Sequence, residues 1–251
     1  MLNYLKPFDI NVDKVRLGPK TPGEHNHGDG GYVAPVNILE KSVALFSYGV
    51  SHDWRYEEDY YKTYNKPVYM FDHTVDHKEH PAEGLTFKKE GLGIKVDNCR
   101  DFIDHYYSLN IKGDVLLKID AEGAEYDYFK DVKLSAMAAV TTGIIIEIHY
   151  IDNEDNRKKF IDMMEKLGEY YVVNHVHGNN WVGTFDYITK TEGTKFVGYK
   201  IPRVYELTLV NKRYVRIMTP DTRSYPLSGL DLPNNASPGV ADAPLEFLND
   251  I

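Results

Sequence analysis

Acidic side chains follow directly behind an apolar run in the segment LLKIDAEGAEYDYF, residues 116–129. The run 114–120 has the length and composition of a buried strand, and Asp120 closes it. Glu122 and Glu125 come next, at the start of a predicted helix, where the helix dipole favours acids. That explanation suits Glu125, but it does not account for Asp120. We therefore predict that Asp120 lies in a functional crevice at the end of its strand, with Glu122 beside it.

Histidines and a glutamate recur at alternate positions in two further apolar segments. Glu147 and His149 share one face of the strand predicted in GIIIEIHYI, because successive strand side chains point to opposite faces. His175 and His177 have the same spacing in YYVVNHVHGNN. A histidine near acids can act as a general base, bind a substrate or bind a metal. The simpler alternative is that each histidine is a buried structural residue.

The candidate site residues fall into two sets. The catalytic candidates are Asp120, His149, His175 and His177. The substrate-binding candidates are Tyr32, Glu122, Glu147 and Asn180. We expect no bound metal, although a site formed by Asp120, His149 and His177 remains an open alternative.

A glycine and an aspartate end two earlier predicted strands. Gly49 lies at a strand-to-helix turn in SYGVSHDWRYEED, where a glycine lets the backbone approach a ligand closely. Asp72 ends the next strand, 23 residues later. That spacing resembles the acid that binds the ribose hydroxyls in dinucleotide folds. The alternatives are an ordinary turn for Gly49 and a helix cap for Asp72.

The elements that must position these residues alternate between strands and helices. Strands are predicted at 42–50, 66–75, 84–93, 114–120, 138–151, 170–180 and 203–214. Helices are predicted at 52–64, 98–110, from 122 onward and at 153–170. This alternation indicates a mostly parallel sheet with an antiparallel edge, and such sheets bind ligands at the carboxyl ends of their strands. We predict a single domain over 1–251, with a loop or lid over 1–35, a core over 36–214 and a tail over 215–251.

Composition excludes several classes of function. The 251 residues carry a net charge of −9 and no basic stripe, which argues against a nucleic-acid partner. The single cysteine excludes an internal disulfide and a thiolate metal cluster. No apolar run approaches 18 residues and no signal peptide is visible, so we expect a cytoplasmic protein without a membrane partner.

The motif in LLKIDAEGAEYDYF resembles the K-I-D-x-E-G-x-E signature of the FkbM-like S-adenosylmethionine-dependent methyltransferases. The segments DGGYV, FSYGVSHDWRYEED, VYMFDHTV and IPRVYELTLVNK resemble stretches of related proteins, so that the resemblance covers roughly residues 13–213. It implies an α/β, Rossmann-like class I methyltransferase fold. The sheet would have seven strands, mostly parallel, with the last strand antiparallel.

The resemblance also implies roles for individual residues. Ser47 to Gly49 would line the methionine part of S-adenosylmethionine, Asp72 would bind its ribose, and Asp97 would lie near its adenine. Asp120 would lie where cofactor and acceptor meet. The full set of implied cofactor-binding residues is Ser47, Tyr48, Gly49, Asp53, Glu57, Asp72, Asp97 and Asp120. The glycine-rich first motif of many methyltransferases is reduced here to Tyr48-Gly49-Val50.

The implied reaction is O-methylation of a small acceptor, such as a saccharide, a phosphorylated compound or another metabolite. Bacterial surface-polysaccharide (capsule) or natural-product biosynthesis is the expected setting, and a homodimer is an open expectation. One alternative is an NAD-dependent or nucleotide-sugar-modifying oxidoreductase on a Rossmann sheet, against which the missing GxGxxG argues. Another is a non-catalytic binding domain, against which the histidines and acids at strand ends argue.

Overall fold

The computed structural model of the protein describes residues 1–20, 29–76, 82–190, 196–237, 240–243 and 245–249. The strands in these ranges are β1 (Phe8–Asp9), β2 (Lys14–Leu17), β3 (Tyr32–Pro35), β4 (Leu45–Tyr48), β5 (Val68–Phe71), β6 (Leu85–Lys88), β7 (Gly91–Leu92), β8 (Cys99–Arg100), β9 (Val115–Ile119), β10 (Thr141–Ile148), β11 (Tyr171–Lys190), β12 (Phe196–Asn211) and β13 (Thr219–Pro220). The α-helices are α1 (Val36–Lys41), α2 (Arg55–Tyr64), α3 (Phe102–Ser108), α4 (Glu125–Asp131), α5 (Leu134–Ala139) and α6 (Glu154–Leu167). Short 3₁₀ turns cover Leu2–Leu5, Lys212–Tyr214 and Glu246–Asn249.

Seven of the strands in the described ranges form one sheet, in the order β6-β5-β4-β9-β10-β12-β11. β4 pairs in parallel with β5 and β9, β5 pairs in parallel with β6, and β9 with β10. β12 runs antiparallel to both β10 and β11. Numbered along the chain within this sheet, the strands lie in the order 3-2-1-4-5-7-6. The predicted fold is therefore confirmed: a mostly parallel seven-stranded sheet with an antiparallel last strand.

The centre of the sheet is buried on both faces. In β9, Val115, Leu117 and Ile119 pack into one apolar cluster while Leu116 packs into another, so alternate side chains enter two layers of the core. All five residues of this strand are buried. A strand covered on both faces has no solvent-facing side, which explains why its sequence is apolar except for Lys118.

Helix α6 shows why the predicted helices form. The Asn153 side chain accepts hydrogen bonds from the backbone amides of Asp155 and Asn156, which caps the first turn. Phe160 and Leu167 bury one face of the helix. The helices predicted at 52–64 and 98–110 begin at 55 and 102 instead, and the short helix α5 has no counterpart among the predictions.

The first 35 residues are more regular than the predicted loop or lid. β2 and β3 form an antiparallel pair in which Lys14 lies opposite Pro35, and residues 21–28 between them lie outside the described ranges. Tyr32 and Leu17 are buried in the core. The many Gly, Pro and His residues of this segment concealed the short apolar stretches that form the two strands.

Two other strand predictions change in extent. The strand expected at 84–93 is divided into β6 and β7, which belong to different sheets. The late hairpin is longer than expected, because β11 continues to residue 190 and β12 begins at 196. Within the described ranges we find no helix that is both long enough and apolar enough to cross a membrane.

Candidate active site

A crevice opens at the carboxyl ends of β4, β9 and β10. From β4 the chain builds β5 and β6 on one side and then returns to place β9 on the other side, so the strand order reverses between β4 and β9. Open α/β sheets bind ligands at such a switch point. The crevice has a volume of about 320 Å³. Its described wall consists of Asp29, Gly30, Tyr32, Gly49, Val50, Ser51, Asp53, Lys118, Asp120, Glu122, Glu147, His149, Tyr150, Asn179, Trp181, Val182 and Val204.

The Gly49 turn packs against the end of the neighbouring strand. Gly49 has a φ of 76°, and a Cβ atom placed on it would lie 1.6 Å from the carbonyl oxygen of Asp120. The Asp120 backbone amide in turn donates to the Tyr48 carbonyl at 3.0 Å. We predicted a glycine that lets the backbone approach a ligand, with an ordinary turn as the alternative, and the close contact in the structure is with the chain itself. The glycine lets the ends of β4 and β9 approach each other and so fixes Asp120 at the floor of the crevice.

The Asp120 carboxylate faces both a histidine and a tyrosine. Its Oδ1 atom lies 3.5 Å from His149 Nε2, and its Oδ2 atom lies 3.5 Å from Tyr32 Oη. Burial, followed by the negative charge of Glu147, raises the pKa of Asp120 well above its usual range. About a quarter of the Asp120 side chain remains exposed, so a ligand in the crevice can reach it.

His149 is surrounded by carboxylates. Its Nε2 atom lies 3.4 Å from Glu147 Oε2 and 3.7 Å from Glu122 Oε2, while Nδ1 lies 3.3 Å from Glu125 Oε1. Burial opposes its protonation, but the hydrogen bonds to Glu125 and Glu147 outweigh burial and raise the pKa of His149 to about 11. His149 is therefore an imidazolium at neutral pH and has no lone pair with which to accept a proton.

Glu147 and Lys118 complete the buried side of the crevice. Tyr32 Oη donates to Glu147 Oε1 at 2.8 Å, and burial raises the pKa of Glu147. The Lys118 ammonium lies 3.5 Å from Glu57 Oε1 and 5.0 Å from the centre of the Tyr32 ring. Burial would lower the pKa of Lys118, yet the negative charges of Glu57, Asp120 and Glu147 raise it. Lys118 was not among the predicted site residues, although a lysine inside an apolar strand was the available signal.

The family of the chain is decided by a comparison with known domains. Residues 24–175 match the methyltransferase FkbM domain, which is more than half of the chain. The chain belongs to the FkbM methyltransferase family. Methyltransferases of this kind in general use S-adenosylmethionine. The matched residues end within β11, so the rest of that strand, β12 and the tail lie beyond the matched segment.

Two further comparisons add little to this assignment. No curated protein matches the chain. Among solved structures, the chain is similar to the crystal structure of precorrin-6y C5,15-methyltransferase from Geobacter metallireducens GS-15. That similarity has 13% sequence identity and a TM-score of 0.35, and it covers 70% of this chain and 84% of the other.

Several residues expected to bind the cofactor lie behind the wall of this FkbM domain. Ser47 is buried and donates to Glu57 Oε1 at 2.5 Å, while the Tyr48 ring stacks on Phe71 with centroids 4.7 Å apart. Glu57 pairs with the buried Lys118. The structure thus gives Ser47, Tyr48 and Glu57 positions that support the crevice, and only Gly49 of the expected turn lines it.

The carboxylates of Asp72 and Asp97 do not line the crevice either. Asp72 Oδ2 accepts from the Ser51 backbone amide at 2.9 Å, and its Oδ1 accepts from the Thr74 amide and hydroxyl. Burial opposes ionisation of Asp72, but these hydrogen bonds lower its pKa. Asp72 therefore holds the turn that follows Gly49. Asp97 is exposed between β7 and β8, and the ribose and adenine roles of the two residues stay predictions.

His175 and His177 are placed away from the crevice, which corrects the expectation that three histidines meet there. His175 Nε2 lies 2.8 Å from Asp231 Oδ1. His177 lies between Glu206, at 3.0 Å from Nδ1, and Asp242, at 3.1 Å from Nε2. Both side chains are buried against the tail, because the strand β11 that carries them is covered there.

Asn180, expected to bind substrate, also serves the tail. Its amide donates to the carbonyls of Asn235 and Ala241 at 3.0 Å, and its oxygen accepts from the Asn235 amide at 2.7 Å. All of its described hydrogen-bonding atoms are therefore engaged within the chain. The neighbouring Asn179 and Trp181 line the crevice instead. Alternation along β11 is interrupted by a bulge between residues 179 and 184, which the sequence pattern did not indicate.

The carboxylates and His149 also form a set of possible metal ligands. Donor atoms of Asp120, Glu122 and His149 lie within 4.8 Å of one another. The open alternative of Asp120, His149 and His177 is corrected, because His177 binds the tail and is not part of this group. Of the other predicted residues, Tyr32, Asp53, Glu122 and Glu147 do line the crevice.

Proposed function

We propose that this crevice binds S-adenosylmethionine and that the chain transfers its methyl group to a hydroxyl of a saccharide or other small metabolite. The single observation that supports the proposal most is the position of the crevice. It lies at the switch point of an FkbM methyltransferase domain and is bounded by Gly49, Asp120 and Glu147. A binding site at that place in an open parallel sheet is expected from the fold.

The carboxylates and the backbone groups of the crevice suit the proposed cofactor. S-adenosylmethionine supplies an electrophilic methyl group on a positively charged sulfur and also carries an ammonium group. The wall offers carboxylates at Asp53 and Asp120, and backbone at the turn 49–51. We assign the methionine part of the cofactor to this turn. The charge of the carboxylates complements both positive groups.

Asp120 is the proposed general base. His149 is an imidazolium at neutral pH, whereas the Asp120 carboxylate is partly exposed, and burial and the charge of Glu147 raise its pKa and so make it a stronger base. S-adenosylmethionine, when bound, would supply the methyl group and leave as S-adenosylhomocysteine, and Asp120 would take the proton of the acceptor hydroxyl. His149 and Tyr32 hold the Asp120 carboxylate in place, so most of the rate gain comes from positioning.

The biological setting is proposed from the family resemblance. Bacterial surface-polysaccharide or natural-product biosynthesis is the setting in which hydroxyl methylation of saccharides fits this family. The wall supports a hydroxylated acceptor, because its carboxylates can accept hydrogen bonds from hydroxyl groups. The half-exposed Trp181 ring offers an aromatic surface on which a sugar can stack.

Calorimetric titration tests the proposal directly. S-adenosylmethionine and S-adenosylhomocysteine are titrated into the protein, with NAD as a control. We expect micromolar binding of both adenosyl ligands and none of NAD. Asp120→Asn keeps its shape but loses the base, so it should bind both ligands and lose turnover by about 10²–10⁴-fold. Absence of adenosyl binding, or full turnover in Asp120→Asn, would reject the cofactor or the base respectively.

A further inference from the structure

The charge of the crevice is strongly unbalanced. Its described wall carries five carboxylates and two cationic side chains. The cations are Lys118 and His149, and both are almost fully buried. The carboxylates are Asp29, Asp53, Asp120, Glu122 and Glu147.

Partners behind the wall do not remove this imbalance. Lys118 is shared with the buried Glu57, and His149 is shared with the buried Glu125. Asp53 is paired with a further cation, Arg55, at 2.5 Å, and this count covers the described residues alone. Counted with these three partners, seven carboxylates face three cations, an excess of four negative charges when all are ionised. Burial raises the pKa of Asp29, Asp120 and Glu147, and the negative charges of neighbouring carboxylates raise each of these pKa values further.

The proposed cofactor compensates only part of the excess. S-adenosylmethionine has two positive groups and one carboxylate, so it contributes a single net positive charge. With all of these carboxylates ionised, the wall would keep an excess of three negative charges when the cofactor is bound. A phosphorylated or carboxylated acceptor would then enter against like charges, in a site where burial weakens the screening by water. A positively charged acceptor would be attracted by the same charges.

We propose that the acceptor carries a protonated amine beside the hydroxyl that is methylated, as an amino sugar or amino polyol does. This inference rests on the proposed function, and it narrows the acceptor class by excluding the phosphorylated compounds. Trp181 supports it, because its ring lies in the crevice wall with 49% of the residue exposed, and aromatic faces attract ammonium groups. An ammonium held by carboxylates has no lone pair, so the hydroxyl is the nucleophile and the amine is the recognition group.

A series of probes that differ in charge tests the proposal. Glucosamine, glucose and glucose 6-phosphate are titrated into protein that has first been saturated with S-adenosylhomocysteine. The chain has two tryptophans, so a Trp54→Phe background leaves Trp181 as the fluorescent reporter in the crevice. We expect glucosamine to bind at least about tenfold more tightly than glucose, and glucose 6-phosphate to bind more weakly than glucose. The advantage of glucosamine should shrink as salt rises.

Two matched variants assign the effect to the crevice. Glu122 lines the crevice with 74% of its side chain exposed, and Glu154 lies outside it on α6 with 75% exposed. Glu122→Gln should weaken the binding of glucosamine about two- to fivefold more than it weakens the binding of glucose, which is the usual range for one exposed charge. Glu154→Gln should change neither.

The outcomes separate this inference from the proposed function. If S-adenosylhomocysteine fails to bind, the proposed function fails and the inference fails with it. If S-adenosylhomocysteine binds but the three sugars bind equally, or glucose 6-phosphate binds best, or no sugar binds, only the inference is overturned. Equal effects of Glu122→Gln and Glu154→Gln would also overturn it, because the charge would then act from outside the crevice.

Discussion

Replacing Gly49 by alanine tests whether the junction between β4 and β9 builds the active site. A Cβ atom at this position would lie 1.6 Å from the Asp120 carbonyl oxygen, far closer than any allowed contact. The backbone would have to shift by more than 1 Å to make room, as judged from an ordinary carbon–oxygen contact of about 3.5 Å. That shift would move Asp120 away from His149 and Tyr32.

The expected loss of stability has two parts. The φ of 76° places Gly49 in the left-handed region, which costs a residue with a Cβ atom about 1–2 kcal/mol. Forcing the Asp120 carbonyl aside adds about 1–3 kcal/mol, as overpacking does elsewhere in protein cores. We therefore expect Gly49→Ala to lower the free energy of unfolding by about 2–5 kcal/mol.

Gly183 provides the matched control, because its φ is 75° and no atom lies within 4 Å of a Cβ placed on it. Gly183→Ala should cost only the conformational part, about 1–2 kcal/mol. Urea unfolding measures both variants, and titration with S-adenosylhomocysteine measures the crevice. Equal losses of stability in the two variants, or unchanged ligand binding in Gly49→Ala, would refute the idea that this contact fixes Asp120.

Three further predictions concern buried polar groups. His149 has a folded-state pKa of about 11. Its contribution to stability is therefore complete below its unfolded-state pKa and is lost as the pH rises towards 11. Between pH 7 and 10, the urea midpoint of His149→Gln should fall less steeply than that of the original protein. Glu57→Gln leaves a buried ammonium without its anionic partner and should cost about 3 kcal/mol in urea unfolding, while a loss under 1 kcal/mol would contradict the pairing. Asn234→Ala removes a hydrogen bond to Asp29 and should raise the pKa of the Asp29 carboxyl in an NMR titration. The Asn180 amide donates to main-chain carbonyls of the tail, so Asn180→Ala should leave the pKa of Asp29 unchanged.

The sequence predicted the sheet well because its signal is local. Apolar runs, β-branched residues and acids after strand ends mark β4, β5, β9 and β10, and the carboxyl ends of these strands meet at one edge. Gly49, Asp120, Glu147 and His149 were accordingly predicted as parts of one crevice, and they line it.

The remainder of the site depends on contacts between segments that are distant in the sequence. The order of apolar and polar residues within one segment does not predict such contacts. Lys118 was missed because its neighbours in the strand are apolar, and its partner Glu57 lies on a different element. Trp181 was missed because a bulge changes the alternation of β11. Ser47 and Tyr48 were predicted to touch the cofactor, but the motif does not reveal that their side chains point into the core.

His175 and His177 of β11 were predicted as catalytic candidates from their spacing, but the structure places them in contact with the tail. His177 carries its charge between Glu206 and Asp242: burial opposes protonation, but the two carboxylates raise its pKa to about 10. His175 differs, because burial lowers its pKa despite the adjacent Asp231. Asp231 and Asp242 both belong to the tail. Two histidines with the spacing of a catalytic pair therefore serve as anchors for the C-terminal segment.

The tail also contacts the crevice wall, through Asn234. The buried Asn234 amide donates to Glu206 Oε1 at 2.5 Å and to Asp29 Oδ1 at 2.9 Å, and Asp29 lines the crevice. Asn234 and Glu206 lie outside residues 24–175, the part that matches the FkbM domain, whereas Asp29 lies inside it. The wall near Asp29 consequently depends on a segment beyond that match. Because such a segment can vary while the switch point of the sheet stays the same, we expect it to influence which acceptor enters more than how the methyl group is transferred.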